Sequence, residues 1–215
     1  INNITLFMGQ LYASIRDSIT NKSEIRYYNN GIWTLFANNL KSTIRNPFVA
    51  YHDTLYFLSS GVVSDPVDMF ILKFNSSGTL INSHSISKAN SEMRLEWRFA
   101  KVINDVLFVG GQFRYFDGEF AGGIAAIDSI GSKIPFYTST GFSTPFYNSF
   151  GYSLYHDTIQ NKLYAGGMFD FAGDTIANSI ACWDGNKWSP LGDGLNGVDE
   201  FKYVRRITEY NNLIY

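Results

Sequence analysis

Lys162-Leu163-Tyr164-Ala165 is one copy of a four-residue pattern that recurs along the chain as Gln10-Leu11-Tyr12-Ala13, Thr54-Leu55-Tyr56-Phe57, Val106-Leu107-Phe108-Val109 and Asn212-Leu213-Ile214-Tyr215. The leucines of these segments stand 44, 52, 56 and 50 residues apart. A second marker keeps the same rhythm: a short apolar run ends, Asn or Asp follows, and Gly comes soon after. It is seen at Tyr28-Asn29-Asn30-Gly31, Phe74-Asn75-Ser76-Ser77-Gly78, Ile127-Asp128-Ser129-Ile130-Gly131 and Trp183-Asp184-Gly185, spaced by 46, 53 and 56 residues. Two independent markers therefore report one repeat of about 50 residues.

Asn or Asp with Gly between apolar runs is turn chemistry, because these residues tolerate the positive φ that matches the twist of hairpin strands. Each marker thus reads as strand, turn, strand. Within one period four strands are expected: one ending before Tyr51-His52-Asp53, one starting at Leu55, one ending at Phe74, and an outer one such as Trp33 to Leu40 or Trp188 to Leu195. Four antiparallel strands in such a repeat describe a β-propeller blade. The fold expected is all-β, with about four and a half blades at 4–47, 48–98, 99–150, 151–203 and a partial 204–215 in a single domain. No helix-period segment supports a helical solenoid. The nearest to one, Asn90 to Val102, reads as loop plus strand. The chain opens on an innermost-type strand at Ile4 to Phe7 and stops within a second strand at Tyr215, so the natural protein is expected to continue past both ends.

Composition agrees with short aromatic strands and glycine turns. Aromatic and charged residues each make up 17% of the 215, with 19 Gly. The formal charge is −2 and the basic residues are scattered, so the stripe needed to bind a phosphate backbone is missing and no nucleic-acid partner is expected. No stretch reaches the roughly 20 apolar residues of a membrane-spanning helix, so direct membrane insertion is not expected. Cys182, the single cysteine, excludes an internal disulfide and reads as a buried thiol.

The third and fourth repeats carry Leu107-Phe108-Val109-Gly110-Gly111-Gln112-Phe113 and Leu163-Tyr164-Ala165-Gly166-Gly167-Met168-Phe169-Asp170-Phe171-Ala172-Gly173. The latter continues into Asn178-Ser179-Ile180-Ala181-Cys182-Trp183-Asp184-Gly185-Asn186-Lys187-Trp188. This resembles the Kelch-type, galactose-oxidase-like propeller repeat of large secreted bacterial proteins, many of which carry a sorting domain for type IX secretion. The resemblance covers 163–195 well and 107–131 fairly. Before residue 100 it is only periodic, and Leu58-Ser59-Ser60 replaces the glycine pair. It implies an extracellular or cell-surface location, with the secretion machinery of the outer membrane as one partner. It implies no cofactor, since no copper-ligand set accompanies it.

The most enzyme-like feature is the repeated tetrapeptide Tyr51-His52-Asp53-Thr54 and Tyr155-His156-Asp157-Thr158, where His and Asp would suit proton transfer. The same place in other repeats holds Ile103-Asn104-Asp105-Val106 and Tyr210-Asn211-Asn212-Leu213, which are turns, so a turn is expected here too. With three His and one Cys there is no ligand set at zinc spacing, and no catalytic or metal residue is assigned. Gly110-Gly111 and Gly166-Gly167 are followed by no helix start or Lys-Ser/Thr, so close strand packing explains them better than a phosphate cradle. Tyr115, Phe116, Phe120 and Phe171 follow these pairs. Exposed, they are candidates to stack on a sugar or anchor a protein; between blades, they are core.

Five triplets read Asp, Ser or Thr, then an aliphatic residue: their hydroxyls are Ser18, Thr54, Ser129, Thr158 and Thr175. The triplet is similar to the O-glycosylation site of exported proteins in the bacterial group where these repeats abound. A turn-closing Asp followed by a strand-starting Thr generates the same pattern. The function expected is a non-enzymatic binding or scaffold domain that holds a glycan or a protein with loops on one face. The alternative is an extracellular carbohydrate-active enzyme with its catalytic groups in the channel or in other blades. A third reading makes it a spacer in a surface adhesin.

Overall fold

The computed structural model describes residues 3–17, 19–20, 22–41, 48–59, 69–87, 95–134, 141–145, 149–195, 202–211 and 213–215. Among these the chain is all β, with no helix, and its sheets are antiparallel. The first sheet is a meander of β1 (Asn3–Phe7), β2 (Gln10–Arg16), β3 (Lys22–Asn29) and β4 (Ile32–Lys41). The second is built from β5 (Phe48–Tyr51), β6 (Thr54–Ser59), β7 (Met69–Phe74) and β8 (Leu80–Ser87).

The third sheet starts with β9 (Glu96–Ile103) and β10 (Val106–Gln112). A short hairpin of β11 (Tyr115–Phe116) and β12 (Glu119–Phe120) intervenes before β13 (Ile124–Ile127) and β14 (Lys133–Ile134) complete it. After β15 (Phe142–Ser143) the fourth sheet repeats that plan. It comprises β16 (Phe150–Asp157), β17 (Lys162–Met168), β20 (Ile180–Trp183) and β21 (Trp188–Pro190), while the intervening hairpin of β18 (Phe171–Ala172) and β19 (Thr175–Ile176) forms a separate three-stranded sheet with β15. A last hairpin joins β22 (Glu209–Tyr210) to β23 (Leu213–Ile214).

The turns between first and second strands adopt a left-handed backbone: Met8-Gly9, His52 and Asn104-Asp105 all have positive φ. Three details differ from the sequence expectation. The starts proposed at 99 and 151 fall inside β9 and β16. The outer strand expected over Trp188 to Leu195 ends at Pro190, which has no N–H to extend the ladder, and the chain then turns through Gly192 and Gly194 at positive φ. The inserted hairpins, β11–β12 and β18–β19, were not anticipated.

The recurring Leu-aromatic pair gains its meaning from packing. Leu55 and Phe57 pack with Phe7, Tyr12 and Ile25 of the first sheet, while Tyr56 and Leu58 pack with Trp97, Leu107 and Val109 of the third. Phe108 turns the other way, into a cluster with Leu154, Leu163 and Ala165 of the fourth sheet, and Tyr164 faces Ile207 and Val204 beyond it. Successive side chains of a strand point to opposite faces. Here both faces are buried, so polar alternation is lost and the second strands read as continuous apolar runs. Burial of each such side chain stabilises by about 1.5–3 kcal/mol. Leu11 takes the equivalent position in the first sheet, on a face that also carries Ile4 and Leu6, and all three are exposed.

The two inserted hairpins do the same job in register. Ala121 N–H bonds the Arg114 carbonyl at 2.8 Å, and 56 residues later Ala177 N–H bonds that of Asp170 at 2.8 Å. Each hairpin reaches back to an earlier segment: β11 pairs with β8, extending the second sheet, and β18 pairs with β15. Where one repeat has Gly122-Gly123 at positive φ, the other has Asn178-Ser179 in the same conformation.

Candidate functional site

The first strands of successive sheets lie side by side, β1 by β5, β5 by β9 and β9 by β16. Between β9, β16 and the segment 202–208 opens a cleft of about 860 Å³, lined by Glu96, Arg98, Lys101, Tyr152, Ser153 and Arg206, among others. Its key side chains are placed by the glycine pairs. In the β9–β10 ladder Phe99 faces Gly110 and Trp97 faces Gly111, so Arg98 is a bulged residue with no partner opposite. In the β16–β17 ladder Ser153 faces Gly166 and Gly151 faces Gly167, which leaves Tyr152 in the same position. A β-bulge re-aims a side chain out of the strand's alternation.

Glycine is required opposite the bulge. A Cβ on Gly111 would lie 2.1 Å from the Glu96 carbonyl oxygen, and one on Gly167 would lie 1.9 Å from that of Phe150. Close strand approach, as expected from the sequence, is therefore the role of both pairs.

The two bulged residues meet. The Arg98 guanidinium lies 5.0 Å from the Tyr152 ring centroid and donates to the Glu96 carboxylate at 2.7 Å. Tyr203 approaches Tyr152 edge-on at 6.0 Å, and Arg205 sits 5.0 Å from the Tyr203 ring. Burial holds the Tyr152 phenol above its usual range, opposed by the positive charges of Arg98 and Arg205. Lys101 donates from Nζ to the Leu154 carbonyl at 2.5 Å, and burial lowers its ammonium pKa. Arg98 Nε and Ser153 Oγ are buried and have no hydrogen-bond partner among the described residues. The cleft thus combines cations, two aromatic rings and unused donors. Glu96 is the only carboxylate among its described lining residues.

The residues singled out from sequence lie elsewhere. His52 Nε2 meets Asp105 of the next sheet's turn at 2.8 Å, and His156 Nε2 meets Asn161 within its own turn at 3.1 Å. His52 is therefore a turn residue that ties neighbouring repeats, while His156 and Asp157 end β16 and bond within their own hairpin. Among the described residues no three His, Cys, Asp or Glu side chains cluster as metal ligands would. Cys182 is buried, and burial raises its thiol pKa.

Of the aromatic candidates, Phe116 takes the core alternative. It is fully buried, with its ring stacked on His84 at 5.3 Å, because pairing of β11 with β8 turns that face of the hairpin into the core. Tyr115 and Phe120 are half-buried partners at 6.2 Å on one hairpin, with Arg114 over Phe120, and Phe171 is half-buried on the other. None of the four is among the lining residues of the cleft.

The five hydroxyl candidates separate. Ser18 lies outside the described residues. Ser129 and Thr158 are exposed in turns whose Asp128 and Asp157 carboxylates accept backbone N–H bonds from the residue two further on. Thr54 begins β6, and the Thr175 hydroxyl donates to the Trp188 carbonyl at 3.2 Å.

Sequence reading missed Arg98, Lys101, Tyr152, Arg205 and Arg206, since they are spread over more than 100 positions. The usable signal was the glycine pair, which marks where the facing strand must bulge. Compared with known proteins, the chain matches no family model and no curated protein.

Proposed function

We propose that the chain is part of a β-propeller of the Kelch-type, galactose-oxidase-like kind, in an exported or cell-surface bacterial protein, and that it acts as a non-enzymatic binding module. The propeller reading is supported by first strands that lie side by side while each sheet packs face to face on the next. In a propeller those strands line the central channel. The secretion route, including contact with an outer-membrane apparatus, rests on the repeat motif alone.

One observation carries the binding reading: two bulges in successive first strands aim Arg98 and Tyr152 into one cleft. Convergent polar groups and rings in a concave site of this volume are what small-ligand sites use. Glycoside hydrolysis by the usual route needs two carboxylates roughly 5 to 9 Å apart. The cleft's described carboxylate, Glu96, is tied to Arg98, which favours binding over hydrolysis.

A panel of saccharides and small metabolites tested on the full-length protein checks this. A ligand whose binding is lost in Tyr152→Ala, and which is recovered chemically unchanged, supports the reading. Turnover of any saccharide, or ligands indifferent to Tyr152, would replace it.

A further inference from the structure

We infer that the ligand of this cleft is a small molecule carrying an oxyanion, either a carboxylate or a sulfate; the inference rests on the cleft being a binding site. Four cations line the cleft, Arg98, Lys101, Arg205 and Arg206, against the single carboxylate of Glu96, which Arg98 occupies. Among the described residues, Lys101, Arg205 and Arg206 form no ion pair. The whole chain carries a formal charge of −2, so this positive excess is local.

Arg98 Nε and Ser153 Oγ beside the cleft are buried and have no hydrogen-bond partner among the described residues, and a buried polar group left unsatisfied is costly. Guanidinium groups present forked N–H pairs that match a carboxylate or sulfate. Packing of Arg98 on Tyr152 and of Arg205 on Tyr203 holds two of these forks in place before any ligand arrives. Part of the ordering entropy is thereby met in the free protein. The concave shape suits a small molecule, since a protein partner would need a broad face of roughly 800 Å².

Calorimetry on the full-length protein tests this with glucuronate, inorganic sulfate and glucose as probes. Glucuronate is expected to bind and glucose not to. Arg206→Gln changes an exposed side chain, so the fold should survive, and combined with Arg98→Gln it should weaken glucuronate by about tenfold or more, as loss of charge-assisted bonds implies. Raising sodium chloride from about 0.05 to 0.5 M should weaken it too. Sulfate that displaces glucuronate but binds more tightly assigns a sulfated ligand; the reverse order assigns a carboxylated one. Glucose binding as well as glucuronate, with no effect of the arginine variants, overturns the oxyanion. If Tyr152→Ala abolishes that glucose binding, the cleft reading itself survives. Failure of both anions to bind overturns the inference as well, and the Tyr152→Ala result on the wider ligand panel then judges the site separately.

Discussion

The Arg98 guanidinium lies 5.0 Å from the centre of the Tyr152 ring, and each residue is the bulged position of its own sheet's first strand. A cation over an aromatic face contributes about 0.5–2 kcal/mol, more as water is excluded. Here the contact also joins the third sheet to the fourth across the cleft, so site geometry and sheet packing depend on one another.

The bulge depends on glycine. Gly111→Ala sets a methyl group against the Glu96 carbonyl, and relief requires moving one strand from the other. A loss of about 1–3 kcal/mol is expected in denaturant unfolding, the range for overpacking, together with weaker ligand binding. Ile159→Ala, in an exposed turn, should change stability by less than about 0.5 kcal/mol. Equal stability of the two variants would remove the steric account.

Facing decides the value of the repeated leucine. Leu107 is fully buried against the second sheet, so Leu107→Ala should cost about 2–5 kcal/mol. Leu11→Ala, on the open face of the first sheet, should cost less than about 1 kcal/mol by thermal unfolding. A large loss at Leu11 in the full-length protein would mean that something packs on that face.

A buried contact pins the β11–β12 hairpin to β8. His84 Nδ1 meets Asp117 Oδ2 at 2.7 Å beneath the turn, with the imidazole buried. Asp117→Ala leaves that ring without its partner, at a cost of about 1–3 kcal/mol. Hydrogen exchange should quicken over 114–121, whereas 170–177 keeps its protection because Gly173 takes the place of Asp117 there. Similar changes in both hairpins would contradict the assignment.

Burial pushes the Tyr56 phenol from 10.0 up to about 12, helped by Tyr51 and Asp128. Below pH 10 the group is protonated in both folded and unfolded chains. Between pH 10 and about 12 the unfolded chain releases a proton that the folded chain keeps, so its contribution to stability declines as pH rises through that window. The difference in phenolate absorbance between the wild type and Tyr56→Phe should have its midpoint near 12. A midpoint at 10.0 would show that the phenol reaches water.

If the Asp-Ser/Thr-aliphatic triplets are glycosylated, exposure ranks them. Mass spectrometry of protein from its native host should find sugar on Ser129 and Thr158 before Thr175, whose hydroxyl is engaged, or Thr54, which starts a strand. Modification of Thr175 with Thr158 bare would break that order.

Strands, turns and their fifty-residue rhythm are local properties, so Leu163-Tyr164-Ala165 and Asp184-Gly185 were enough to read antiparallel four-stranded units from the amino acids alone. Local chemistry likewise marked His52 as a turn residue, while His156 lies at the end of β16, beside its turn. The side to which each leucine faces, the return of β11 to β8 and the burial of Phe116 depend on neighbouring sheets. The cleft depends on them most. Arg98, Tyr152 and Arg206 are brought together only when first strands from different repeats align. Side-chain direction at a bulge follows from the facing glycine pair in the partner strand, and only folding supplies that pairing.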